Sequence, residues 1–203
     1  MNKYGEILFE IISNISDKYQ KNELAYLSLT SKAENPIRDK IAFELQKKLS
    51  ENKIVCREWK NGKTNTKADI AIINNKGKLE CLIEFKAHSA IKRIEQWNKS
   101  LIKDFNKSLL IDDKVETIFI LLANFTNKLP ANETFKNVIK YYSDISKSIE
   151  KKYTKEKVIT EWKNALRKLK IKCDLKITTI DAGKFERNKV EIQVFIHENI
   201  RIT

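Results

Sequence analysis

The sequence predicts a mixed α/β fold with a central mixed β-sheet flanked by helices. Three observations carry that expectation. Ala68–Ile73 and Leu79–Lys86 are apolar strand-like runs on either side of Asn74-Asn75-Lys76-Gly77, the pattern of a hairpin. Thr117–Leu122 is a short continuous apolar run, as expected for a strand covered on both faces. Several stretches between and around these runs repeat apolar residues at helical spacing.

Taken in order, Tyr4, Leu8, Ile11, Ile12, Ile15 and Tyr19 form one apolar stripe and predict a helix over residues 3–20. A second helix is predicted over 35–49, with Asn35 as cap, Pro36 in the first turn, and Ile37, Ile41, Leu45 and Leu49 recurring every four positions. Ile54–Trp59 predicts a strand, Asn61-Gly62 a turn, and Lys63–Lys67 a connection leading to Asp69. After the hairpin, a helix is expected over 91–110 and a strand over 117–122. Two amphipathic helices follow, one lined by Phe135, Val138, Ile139, Tyr142, Ile145 and Ile149, the other by Val158, Trp162, Leu166 and Leu169. Cys173–Ile177 and Val190–Ile196 alternate as an antiparallel pair around a loop containing Gly183. The length of 203 residues predicts a single domain over 1–203, with a core at about 30–125 and C-terminal helices and a hairpin at 133–200.

Forty basic residues against 27 acidic give a formal net charge of +13, which favours a polyanionic partner such as nucleic acid. From Lys151 to Lys172 nine basic residues, among them Lys163, Arg167 and Lys168, face only two acidic ones. On a helix with an apolar opposite face this is a candidate phosphate-tracking ridge, or else a solvated outer face. Three well-separated cysteines and two distant histidines argue against a disulfide framework and against a zinc site. Glu10 interrupts the N-terminal apolar run, so neither a signal peptide nor a membrane partner is expected, and the predicted location is cytoplasmic.

The chemistry-bearing residues lie on the central hairpin. Asp69 opens its first strand, and Glu84-Phe85-Lys86 ends its second. Side chains alternate along a strand, so Glu84 and Lys86 share a face while Ile83 and Phe85 take the other. Bringing Asp69 alongside gathers two carboxylates and an ammonium, a set suited to a hard cation and an anionic substrate. Seven Asp/Glu-x-Lys triplets occur in the chain, and only the one at Glu84 ends an apolar strand directly after an acid-led one. Its plain alternative is a cross-strand ion pair on a wet sheet face.

This arrangement resembles the PD-(D/E)xK nuclease superfamily, whose restriction endonuclease-like core is a helix, a three-stranded meander, a helix and a further strand. Ala68 stands where the family's name has proline. The resemblance implies a Mg²⁺-dependent DNA nuclease, most simply an endonuclease, hydrolysing phosphodiesters by metal-activated water, with Mn²⁺ as substitute. It implies that Asp69, Glu84 and the Phe85 carbonyl hold the metal and that Lys86 orients or activates water. Glu34 would be a further ligand, although Ser31-Lys32-Ala33-Glu34 also matches a capping box. Arg38, one turn on, would meet a phosphate or pair with an acid. Gln96, ahead of Trp97, matches a functional glutamine of some branches. A restriction-type enzyme of this size would be a homodimer. The alternatives are RNA as substrate, or a non-catalytic nucleic-acid-binding or assembly module on the same scaffold.

Overall fold

The computed structural model describes residues 3–62, 65–88, 94–112, 114–130 and 132–202. Helices α1 (Lys3–Ser13), α2 (Glu23–Thr30) and α3 (Glu34–Lys48) precede strands β1 (Lys53–Lys60), β2 (Lys67–Asn74) and β3 (Leu79–His88). Helix α4 (Ile94–Ile111) leads to β4 (Glu116–Thr126). Helices α5 (Thr134–Val138), α6 (Tyr142–Glu150) and α7 (Lys155–Lys168) follow, and β5 (Ile171–Phe185) and β6 (Asn188–Ile202) close the chain. The strands form one six-stranded sheet in the order β1-β2-β3-β4-β6-β5. Only β3 and β4 are parallel among its neighbours, because α4 carries the chain back across the sheet between them.

The sheet separates two apolar layers. Ile70, Ile83, Phe85, Ile118, Ile120 and Leu122 pack with α1, α2 and α3 on one side. Phe119, Leu121 and Phe195 pack with Trp97 and Leu101 of α4 and Val158, Trp162 and Leu166 of α7 on the other. Successive residues of β4 therefore enter opposite cores, which explains why its sequence is apolar without alternation. No helix among the described residues is long and apolar enough to cross a membrane.

Several local expectations need correction. The stripe over 3–20 breaks after Ser13 into a 3₁₀ turn, Ile15–Lys18, and Tyr19 is extended (φ −115°, ψ 156°). Ile15 is still buried, so the apolar pattern marked burial where the helix had already ended. Helix α2 was not anticipated; only eight residues long, it presents Leu24, Ala25, Ser28 and Leu29 to the core. Helix α3 starts at Glu34 after Ala33, so Asn35 lies inside its first turn instead of capping it. The helix expected from Phe135 to Ile149 is split, because Lys140 N donates to Leu29 O (2.7 Å) and Tyr141 adopts φ +62°. Val138 is consequently exposed. Residues 91–93, where the third helix was expected to start, lie outside the described residues.

The closing hairpin is longer than expected, with fifteen residues in each strand. Gly183 is part of β5 and not of a connecting loop. It sits at a register shift with φ +93°, and a Cβ there would lie 2.7 Å from Asn22 Oδ1. The same Oδ1 accepts from Lys184 N (2.9 Å), which fastens the hairpin to the start of α2.

Candidate functional site

Two strands and two helices build the site. On β3, Glu84 is buried (2% exposed) and Lys86 is partly exposed, while Phe85 between them is wholly buried in the opposite core. The register of β2 with β3 places Asp69 next to Glu84, since Ile70 pairs with Ile83. Asp69 Oδ2 accepts from Phe85 N (2.7 Å), so the backbone of the Glu-x-Lys segment orients this carboxylate. Its Oδ1 lies 3.4 Å from Arg38 Nη1.

Arg38 is itself nearly buried. It pairs with Asp39, Glu58 and Asp69, which makes it an acid-pairing residue in this structure. Glu58, which sequence context gave no reason to select, thereby joins the site's electrostatic frame and also pairs with Lys67. Glu34 does not close the expected capping box. Ser31 Oγ donates to Leu27 O (2.7 Å), and Glu34 Oε2 accepts from Ala87 N (2.9 Å). The carboxylate thus spans from the first turn of α3 to the end of β3, and no capping box forms. Asp69 and Glu34 both lie close enough to raise the pKa of Lys86, so these three residues converge electrostatically.

Helix α4 supplies two charges that were not foreseen. Asp104 (5% exposed) has Oδ2 2.9 Å from Lys86 Nζ, and Lys107 Nζ lies 2.6 Å from Glu84 Oε1. Lys107 is also 3.9 Å from Asp104 Oδ1. The order Lys86–Asp104–Lys107–Glu84 alternates charge across the strand–helix contact. A signal for Asp104 was present: Trp97, Leu101, Asp104 and Ser108 follow helical spacing and are all buried, so an acid stands on an inward-facing stripe.

Burial pushes the Glu84 carboxyl up to about 8, against the pull of Lys107, while Asp69 and Asp104 push the same way as burial. For Lys86, burial is the largest influence and works downward, but Asp104, Asp69 and Glu34 together outweigh it, and the net direction is upward. Glu84, Lys86, Asp104, Trp97 and His197 line a cavity of about 20 Å³, enough for one water-sized body. Among the described residues Trp97 Nε1, buried there, has no hydrogen-bond partner.

A hard divalent cation needs oxygen donors, several of which can be water. Among the described residues no three His, Cys, Asp or Glu side chains converge to hold a metal. Mg²⁺ commonly uses only one or two carboxylates and retains several waters. Among the described residues Glu84 Oε1 is buried without an aligned hydrogen bond and faces the charge of Lys107, so Glu84 with Asp69 fits that smaller requirement. Phe85 contributes its N–H to Asp69 and its side chain to the core. Gln96 is exposed on α4. Lys163, Arg167 and Lys168 are exposed on α7, which packs against α4. The three cysteines are free.

The fold and site define a mixed α/β protein with an acid–lysine cluster at the junction of an antiparallel hairpin and a parallel strand pair. No protein-family model matches this chain, and no curated protein or solved structure matches it either.

Proposed function

We propose that this protein is a divalent-metal-dependent DNA nuclease with a PD-(D/E)xK, restriction endonuclease-like core. The observation that carries the reading is the placement of Glu84 and Lys86 on one face of β3 with Asp69 beside them on β2 and Glu84 buried. The element order supports it: helix α3, the antiparallel run β1-β2-β3, helix α4, then β4 parallel to β3.

A hard cation held by Glu84 and Asp69 would polarise a phosphodiester oxygen and lower the pKa of a bound water. This chain's own residues do the remainder. Burial makes Glu84 costly to ionise, so it gains most from a cation. The Phe85 N–H and Arg38 fix the direction of the Asp69 carboxylate. Lys86, the more exposed member of the Glu-x-Lys pair, carries the positive charge that meets the non-bridging phosphate oxygens and positions the attacking water. In the hydrolysis water oxygen bonds to phosphorus, the P–O ester bond breaks, and the leaving oxygen takes a proton.

One observation favours a second reading. Arg38 and Lys107 already pair with the two carboxylates, as they would in a non-catalytic nucleic-acid-binding module. Incubation with supercoiled plasmid and with single-stranded DNA, in Mg²⁺, Mn²⁺ or EDTA, separates the two. The nuclease reading expects metal-dependent cutting that Lys86→Ala reduces by roughly 10²–10⁴-fold. Equal cutting by the variant removes Lys86 from the site. Retention of DNA without cutting, indifferent to metal, favours the binding module.

A further inference from the structure

We infer that Lys107 is the resident counter-cation of Glu84, and that it moves to a phosphate of bound nucleic acid when a divalent cation takes the carboxylate. The inference rests on the nuclease reading and adds a coupling between cation and DNA at the same site.

The geometry leads there in steps. Glu84 is almost fully buried, and the cation next to it is Lys107 Nζ, 2.6 Å from Oε1. In its ionised form this buried carboxylate is strongly disfavoured without a neighbouring positive charge, and Lys107 supplies that charge before a divalent ion arrives. A divalent ion at the same oxygen would repel that ammonium at close range and low dielectric, so both cannot stay. Lys107 has somewhere to go, because its side chain is a quarter exposed and sits on a flexible four-carbon stem.

Asp104 makes the exchange productive. It lies 3.9 Å from Lys107 Nζ and 2.9 Å from Lys86 Nζ, so a Lys107 leaving Glu84 meets this carboxylate and competes there with Lys86. Loading the carboxylate on β3 thus loosens the lysine that the proposed reaction needs. In the free protein the displaced ammonium groups share one acid, which opposes loading. Bound nucleic acid supplies phosphates for them and removes that opposition. Cation and DNA must then each tighten the binding of the other, by linkage.

The measurement is Mn²⁺ binding to the intact protein without DNA, followed by the loss of the free-ion electron paramagnetic resonance signal. Lys107→Met keeps the stem and deletes the charge, and is expected to bind Mn²⁺ about tenfold more tightly than the wild type, within the usual range of coupling. Lys107→Gln serves as a second variant, with thermal melting to show that each is folded. A Glu84→Gln control is expected to lose Mn²⁺ binding. A parallel titration of duplex DNA, with and without non-catalytic Ca²⁺, is expected to show tighter DNA binding with the cation in the wild type and a smaller gain in Lys107→Met.

Mn²⁺ binding that depends on Glu84 but is unchanged or weakened by Lys107→Met overturns the exchange and leaves the nuclease reading standing. Mn²⁺ binding by none of the proteins, with or without DNA, overturns both. A purely structural Lys107 would lower stability without tightening metal, so a gain in affinity is the distinguishing sign.

Discussion

A Cβ at residue 5 would collide with the carboxylate of Glu198, which reaches the first turn of α1 fully buried and lies 2.7 Å from Lys176 Nζ. Among the described residues neither Glu198 oxygen has an aligned hydrogen bond, so the missing side chain makes room for a charge held mainly by one lysine. Two effects of Gly5→Ala oppose each other. Alanine favours the helix by about 0.5–1 kcal/mol, whereas forcing a methyl into a filled space costs about 1–3 kcal/mol. The clash is with a buried, ion-paired group, so it should win. Urea unfolding of Gly5→Ala is expected to show a net loss of about 1–2 kcal/mol. Adding Glu198→Ala should remove most of the increment due to residue 5. A Gly5→Ala protein as stable as the wild type would refute the close approach. Single residues of this kind were poorly legible in the sequence. Glu198 continues an alternating strand and shows no sign of burial, and Glu34 looks like a capping acid because its acceptor role depends on Ala87, 53 positions away. Glu84 and Lys86 were legible because strand alternation alone puts them on one face.

At the scale of elements, the strands of the central hairpin were readable because turn residues bound them and their apolar runs match strand length. The split between α5 and α6 was not, since it depends on a backbone hydrogen bond to Leu29 in a distant helix. Helix α7 was read correctly from Val158, Trp162 and Leu166, but its attachment to the sheet depends on a polar contact that periodicity cannot reveal. Trp162 Nε1–H donates to His197 Nε2 (2.8 Å), which leaves Nδ1–H to donate to Phe119 O (3.1 Å). One neutral imidazole therefore ties α7, β6 and β4 together. Burial lowers the His197 pKa from 6.5 to about 4, although the Phe119 carbonyl pulls upward. For a base with a depressed folded pKa, the stabilisation is complete above the unfolded value and is lost as the pH falls through the folded one. The His197 contribution to stability is expected to decline from pH 6.5 towards pH 4, by an amount on the order of a few kcal/mol. The buried Glu84 and the half-buried Glu116 contribute oppositely, because their raised pKa values favour the folded state as the pH falls. Tryptophan fluorescence during acid titration would follow it. His197→Gln, which takes up no proton in that range, should show a smaller loss relative to its own stability at neutral pH. Identical acid limbs in the two proteins would remove His197 from the account.

For the whole molecule, the sheet order brings segments far apart in sequence around one acid–lysine cluster, while α7, packed on α4, presents a basic outer face. The formal charge of +13 would suit the proposed polyanionic partner but locates no contact. The structure narrows the choice by showing which cations are engaged internally. Lys155 pairs with Glu191, Lys107 with Glu84 and Arg38 with three acids, whereas Lys163, Arg167 and Lys168 are exposed and form no ion pair with an acidic side chain among the described residues. Each of those three that meets a phosphate of duplex DNA should contribute about 0.9 to the slope of log affinity against log salt. Replacing all three with alanine is expected to lower the magnitude of that slope by about 2–3 and to weaken binding similarly across sequences, because phosphate contacts carry no base information. Fluorescence anisotropy of a labelled duplex over a salt series would measure both quantities. A parallel loss at every salt concentration, with the slope unchanged, would mean that the face of α7 is only solvated and that the duplex is held elsewhere on the protein.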